Sequence, residues 1–304
     1  MSTPTVSIIC DVYNHGPYIR QCLEGFVNQQ TSFPFEVLIH DDASTDNSAE
    51  IIREYEAKYP EIIKPIYQSE NKYSKKISIW CNFQFPRIKG KYVAFCEGDD
   101  YWTDTLKLAK QVTFLEANPD YTLSYSKAKI YNQVINQFEN YTFGHLVNSY
   151  KKLLEDNHIP TPSVCLRTNI INTYIESILK NQNWRIGDYP LWLHAAGCGK
   201  IQFINETTCV YRVLPCSASH HKTFIEILNF REEVVSIKKT LLEKHKLNIF
   251  TKWYILNKTY LSLLELCIEY KDKKGTRKYL SKSFPYDSRS LKKWIFFLQK
   301  YIRM

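Results

Sequence analysis

The sequence predicts an α/β fold: a largely parallel sheet flanked by helices, extended at its C-terminal end by a helical region. Three features carry that expectation. Short apolar runs rich in β-branched residues alternate with segments of helical periodicity through the first part of the chain. Three of those runs end in acidic residues. From residue 223 onward only helical patterning remains.

Residues 6–10, VSIIC, form the first predicted strand, and DVYNHGP after it has the polar, Gly-Pro character of a loop. Tyr18, Cys22, Leu23, Phe26 and Val27 then fall at helical spacing. FEVLIH, residues 35–40, is the second strand and runs into Asp41 and Asp42. A helix follows, with Ser44, Thr45 or Asp46 as its N-cap and Ile51, Ile52, Tyr55 and Tyr59 on one face. IIKPIY is a third strand, YVAFC a fourth, and LKLAKQVTFLEANP a helix ended by Pro119. The second half is less regular: YTLSYS, KAKIYNQVI, SVCLR, KIQFI and TTCVYR read as strands around a helix at DYPLWLHAAG. The predicted division is a first domain over 1–220 and a helical region over 221–304.

Apolar residues at 44% and aromatics at 14% indicate a globular chain. The nine cysteines form no CxxC pair and no Cys/His metal framework. Reduced, mostly buried thiols are expected, and with them a cytoplasmic location. MSTPTVSIIC lacks the basic region of a signal peptide, and no run is long enough to span a bilayer. The net charge of +9 is concentrated in residues 271–304, where eleven Lys and Arg stand against Asp272 and Asp287. The preceding residues are balanced, so nucleic acid is not an expected partner.

In open α/β sheets ligands bind beyond the carboxyl ends of the strands. Asp11, Asp41, Asp42, Glu97, Asp99 and Asp100 all lie there. The stretch YVAFCEGDDYW sharpens the point, because two carboxylates about 4 Å apart near a protein surface repel by roughly 4 kcal/mol. A cation is one remedy; a turn capping the next helix is the other.

VSIICDVYNHGPYIRQCLEGFVNQQ, FEVLIHDDASTDNSAEIIREY, YVAFCEGDDYWTDTLKLAKQVTFL and RIGDYPLWLHAAGCGKI together resemble the family 2 glycosyltransferases, in the family's order and over about residues 5–212. The resemblance implies the GT-A type of nucleotide-sugar-binding fold. It implies inverting, metal-dependent transfer of a sugar from a nucleotide sugar, expected to be a UDP-sugar, to a hydroxyl of a saccharide or lipid-linked saccharide. Val12, Tyr13, Asn14, Asp41 and Asp42 stand where the family holds the nucleoside, and a carboxylate suits the N3–H of uracil, being acceptor only. Asp41 and Asp42 equally suit an Asx turn.

EGDD occupies the place of the family's DxD element, with Glu97 in place of its first acid. Asp99 is the implied ligand of Mn²⁺ or Mg²⁺, hard cations that prefer oxygen. Gly98 allows close approach of backbone, and Asp100 either stands behind the metal or starts a helix. Asp188 stands where the family has its general base; a helix cap beside Pro190 is the structural alternative. His220, with His221, is a further candidate for metal or diphosphate. Trp102 and Trp192 suit either a sugar ring or the core.

In the tail, Leu291, Trp294, Ile295, Leu298, Tyr301 and Ile302 share a helical stripe, with Arg289, Lys292, Lys293, Lys300 and Arg303 opposite. That pattern suits an anionic membrane surface contacted through residues 288–304, or a helix packed on the domain. The first predicts a protein peripheral to the inner face of the plasma membrane. A non-catalytic nucleotide-sugar-binding scaffold is the alternative function. A sugar-nucleotidyltransferase would show a Gly-rich phosphate loop, and DVYNHGPY has one glycine.

Overall fold

A computed structural model describes residues 3–147, 149–179, 182, 184–215, 223–245, 247–285 and 288–303. Its strands are β1 (Val6–Val12), β2 (Phe35–Asp41), β3 (Ile63–Tyr67), β4 (Tyr92–Phe95), β5 (Tyr101–Trp102), β6 (Tyr121–Asn132), β7 (Gln137–Phe143), β8 (Cys165–Arg167) and β9 (Lys200–Val213). Its helices are α1 (Ile19–Val27), α2 (Ser48–Lys58), α3 (Lys107–Ala117), α4 (Tyr150–Glu155), α5 (Thr168–Ser177), α6 (Asp188–Cys198), α7 (Phe224–Lys244), α8 (Ile249–Glu269), α9 (Lys273–Leu280) and α10 (Ser288–Arg303). Two compact units result, Met1–Tyr150 with His158–Pro215 and Lys151–Asn157 with Cys216–Met304. Residues 151–157, inside the first domain as predicted from sequence, group with the second unit.

The first unit holds one sheet in the order β3-β2-β1-β4-β8-β6-β9-β5, with β7 paired to β6. Strands β1 to β4 are mutually parallel where they pair. Strand β8 is antiparallel to both β4 and β6, which makes the sheet mixed. The alternation of strands and helices sets the parallel half, because a crossover helix returns the chain to the same edge. Strand β1 is buried almost along its whole length, so it reads as a continuous apolar run rather than an alternating one. Val6, Ile8 and Cys10 pack with Leu23 and Phe26 of α1 and Ile52 and Tyr55 of α2. All eight described cysteines are free thiols. Trp102 and Trp192 both belong to the core: Trp102 donates its indole N–H to Pro162 O at 2.8 Å, and Trp192 meets Phe95 edge-on.

The predicted N-cap of α2 shifts by one residue. The helix starts at Ser48 after Asn47, whose side chain makes no cap bond, while Asp46 Oδ1 accepts the Ser48 N–H at 2.9 Å. Ser44, Thr45 and Asp46 are used to tie this loop to the one after β1. Asn14 N–H donates to Ser44 Oγ at 2.9 Å, Thr45 N–H to Asn14 Oδ1 at 2.8 Å and Gly16 N–H to Asp46 Oδ2 at 2.8 Å.

In the second unit α7 opens on a capping box of Thr223 and Glu226, and α8 on an Asn248 cap. Val235, Leu261, Leu264, Cys267, Tyr279 and Phe297 form its core, with Trp294 packed against them. The predicted stripe of α10 therefore divides. Trp294 turns inward, beside Phe297 from outside the stripe, whereas Leu291, Ile295 and Ile302 face outward. Periodicity places residues on faces but does not say which face meets the neighbouring helices.

Candidate active site

Strands β1, β2 and β4 run parallel, so their carboxyl ends share an edge and carry Asp11, Asp41 and the EGDD turn there. Beyond β4 the chain keeps following β1: Cys96 N–H donates to Ile9 O and Gly98 N–H to Asp11 O, each at 3.0 Å. A Cβ on Gly98 would lie 2.8 Å from Val12 Cγ2 and 2.9 Å from His15 Nδ1, so the turn needs glycine there for space.

Glu97 is exposed at the surface, yet nearby protein desolvates its carboxyl. That desolvation, then the charges of Asp99, Asp11 and Asp188, pushes its pKa well above the ordinary carboxylate range. Four acids from β1, the EGDD turn and α6 thus act on one another. Asp11 is raised to about 6, chiefly by burial, while hydrogen bonds from Gln84 and Trp80 oppose the shift. Gln84 Nε2 donates to Asp11 Oδ1 at 2.7 Å and to Leu38 O at 3.1 Å. Both partners lie in a π-helical turn, Trp80–Gln84, a geometry frequent at functional sites.

Asp99 and Asp100 differ sharply. Asp99 Oδ1 is buried and has no hydrogen-bond partner among the described residues. Asp100 Oδ1 accepts the backbone N–H of Arg212 at 2.7 Å. Burial and Asp99 raise the pKa of Asp100, and the N–H and charge of Arg212 oppose this. The Arg212 guanidinium is itself buried, donating to Gln21 Oε1 and lying over the rings of Tyr101 (4.8 Å), Tyr18 (5.2 Å) and Tyr131 (5.7 Å). A cation therefore does stand behind the acid turn. Asp100 starts no helix, since β5 follows it and α3 begins only at Lys107.

Asp188 is the first residue of α6, with Gly187 in the cap position. Its Oδ2 accepts from Thr161 Oγ1 at 2.9 Å and its Oδ1 from Tyr189 N–H at 2.6 Å. Burial raises its pKa, and these two bonds oppose the rise. One oxygen thus serves the first turn of the helix, and the other is oriented by a hydroxyl from a different segment.

On the other side of β1, Val12 is buried, Tyr13 is 45% exposed and Asn14 adopts a left-handed φ of 56° while joining the two loops. Asp42 has both oxygens engaged, by Lys72 N–H at 2.7 Å and Tyr73 N–H at 3.0 Å. Asp41, equally buried, keeps Oδ1 without a partner among the described residues. Burial raises its pKa against two hydrogen bonds from Ser44. His220 and His221 lie outside the described residues.

Asp99 Oδ1, unpaired beside Glu97 and Asp11, offers hard oxygen donors that a divalent cation fits. The sequence leaves Asp11, Trp80, Gln84 and Arg212 without roles, and reads Thr161 only as the start of TPSVCLR, a segment resembling the family's acceptor side. Asp11 alone carries a signal, as an acid closing a fully buried strand. The others lie in irregular turns or at a strand end, and only long-range contacts reveal them.

Residues 7–180 match the family described as Glycosyl transferase family 2. An uncharacterized protein of Mycobacterium tuberculosis, Rv1520, is 38% identical over 212 residues, which are 68% of this chain and 58% of that protein. This chain therefore spans little more than half the length of that relative. The Escherichia coli protein WfaP, a UDP-Glc:alpha-D-GlcNAc-diphosphoundecaprenol beta-1,3-glucosyltransferase, is 30% identical over 272 residues, 89% of this chain and 98% of that protein. Among solved structures, S. aureus TarS 1–349 in complex with UDP-GlcNAc gives a TM-score of 0.64 at 18% identity, covering 98% of this chain and 81% of that one. The mannosyltransferase PcManGT of Pyrobaculum calidifontis, with GDP-Man and Mn²⁺, gives 0.57 at 14%, covering 100% and 87%. The structural likenesses bear on fold, which is that of the GT-A type glycosyltransferases. With a family match over more than half of its residues and a relative spanning 89% of it, the chain belongs to glycosyl transferase family 2.

Proposed function

We propose that the chain transfers a hexosyl or N-acetylhexosaminyl group, with inversion, from a UDP-sugar to a hydroxyl of a saccharide or lipid-linked saccharide in assembly of a cell-surface polysaccharide. The observation that carries this reading is the convergence of Asp99, with its unpaired oxygen, and Asp188, held by Thr161, around Glu97. The lipid diphosphate acceptor in the name of WfaP and the UDP-GlcNAc bound by TarS support the acceptor and donor classes.

Asp41 Oδ1 accepts the uracil N3–H, with Val12, Tyr13, Asn14, Asp42, Glu97 and Gly98 shaping the nucleotide wall. Asp99, with His220, would hold Mn²⁺ or Mg²⁺; bound there, such an ion neutralises the charge developing on the departing diphosphate. Asp100 fixes the turn from behind through Arg212. Asp188 removes the acceptor hydroxyl proton as the hydroxyl attacks the anomeric carbon, a role contributing typically about 10² to 10⁴ in rate. A lipid-borne acceptor calls for work at a membrane surface, on the cytoplasmic face, with the basic region 288–304 toward anionic headgroups. No described helix is long and apolar enough to cross a membrane.

A thermal-shift panel of nucleotide sugars with and without Mn²⁺ tests the reading, because a ligand that binds the folded state raises its stability. UDP stabilisation strengthened by Mn²⁺, and lost in part in Asp99→Asn, is the expected result. Transfer abolished by Asp188→Asn excludes a non-catalytic scaffold. No turnover with any nucleotide sugar would favour that scaffold instead.

A further inference from the structure

We propose that one end of the helical second unit, built from the start of α8, the turn before α10 and the outer face of α10, is a docking surface for an anionic lipid bilayer. Ile249, Phe250 and Trp253 stand on the first turns of α8 and are 72%, 79% and 42% exposed. One turn further on, Asn257 Nδ2 donates to Trp253 O at 2.9 Å, and Asn257 Oδ1 accepts Phe284 N–H at 2.7 Å. The second bond ties Phe284, itself 56% exposed, to α8 one turn after Trp253. Trp294 donates its indole N–H to Ser283 O at 3.1 Å, which holds α10 against the same turn with Leu291 and Ile295 outward. Scattered exposed apolar side chains are ordinary, but a set joined this closely marks an interaction surface.

Charge selects the occupant. Residues 244–264 contain Lys244, Lys246, Lys252 and Lys258 and no acid, and residues 271–304 carry eleven basic residues against two acidic ones. Lys252 and Lys292 make no ion pair among the described residues. Trp and Phe set among Lys suit the headgroup region of a bilayer, where basic side chains are attracted to an anionic leaflet. The surface differs from the tail stripe read from sequence, because α10 commits Trp294 and Phe297 to the core. It extends the lipid-borne acceptor reading, but its test involves no sugar.

The test is co-sedimentation of the full chain with vesicles of phosphatidylcholine, alone or mixed with phosphatidylglycerol. Binding to the mixed vesicles that weakens with salt is expected. Phe250→Ser/Trp253→Ser should lower the partition coefficient at least about tenfold, and Lys252→Gln/Lys292→Gln severalfold. Both variants should keep the parent melting temperature, since the replaced side chains are outside the core. Three results would overturn the proposal: a parent that ignores the mixed vesicles, equal binding to both vesicle types, or an aromatic double variant that binds like the parent. A dimer in light scattering that Phe250→Ser/Trp253→Ser dissociates, without vesicle binding, would assign the face to protein instead. UDP binding followed by thermal shift in the same variants keeps the two readings apart, because loss of vesicle binding leaves it unchanged.

Discussion

The hydroxyl of Thr161 donates to Asp188 Oδ2 at 2.9 Å across 27 residues of sequence. It reaches the carboxylate from a short 3₁₀ turn, Thr161–Ser163, while the backbone of α6 holds the other oxygen. Removing the hydroxyl takes away a bond that favours the ionised form, so the Asp188 pKa rises further. A base must be deprotonated to act, and activity falls as pH drops through its pKa. Thr161→Val is therefore expected to move the acid limb of kcat to higher pH and lower kcat about tenfold, with KM for the donor little changed. Thr161→Ser should restore both, and a pH series of initial rates measures them.

Asp41 and Asp42 are adjacent and equally buried, yet they should respond oppositely to replacement. Asp42→Ala removes the acceptor of two part-buried hydrogen bonds, from the N–H groups of Lys72 and Tyr73, and a hydrogen bond to a charged group contributes about 1.5–3 kcal/mol. A fall in melting temperature of several degrees is expected. Asp41→Asn removes a charge whose Oδ1 has no partner among the described residues, so the melting temperature should hold or rise while UDP binding weakens about tenfold. Thermal melts and UDP titrations on the two variants distinguish the roles.

His40 lies fully buried on β2 with neither ring nitrogen hydrogen-bonded among the described residues. Burial lowers its pKa to about 4. Below the ordinary histidine value of 6.5 the unfolded chain therefore takes up the proton first. Stability from this group is complete above 6.5 and is lost as pH falls toward 4. His40→Leu should flatten the pH dependence of the melting temperature in that window, and melts at pH 5 and pH 7.5 would show it.

The sequence made the strand and helix pattern of the first unit legible, with the acids at its strand ends, because those depend on local periodicity and on turn chemistry. It also showed that the basic charge is concentrated near the C-terminus. The mixed half of the sheet was less legible: β8 is only Cys165–Arg167, and its place between β4 and β6 depends on pairing rather than on pattern.

By itself the sequence determined which acids would meet at one edge, since parallel strands joined by helices must end together. Only the tertiary structure decided what each acid does there. Asp100 faces the backbone of Arg212, Asp42 faces a loop, and Asp99 and Asp41 each keep an oxygen unpaired. Asp11 is gripped by a π-turn 73 residues away. The reason is physical: a residue's type sets its chemistry, but its free valence depends on partners that distant segments bring to it. The tail obeys the same rule, its amphipathic pattern legible in sequence and its inward face chosen by α8 and α9.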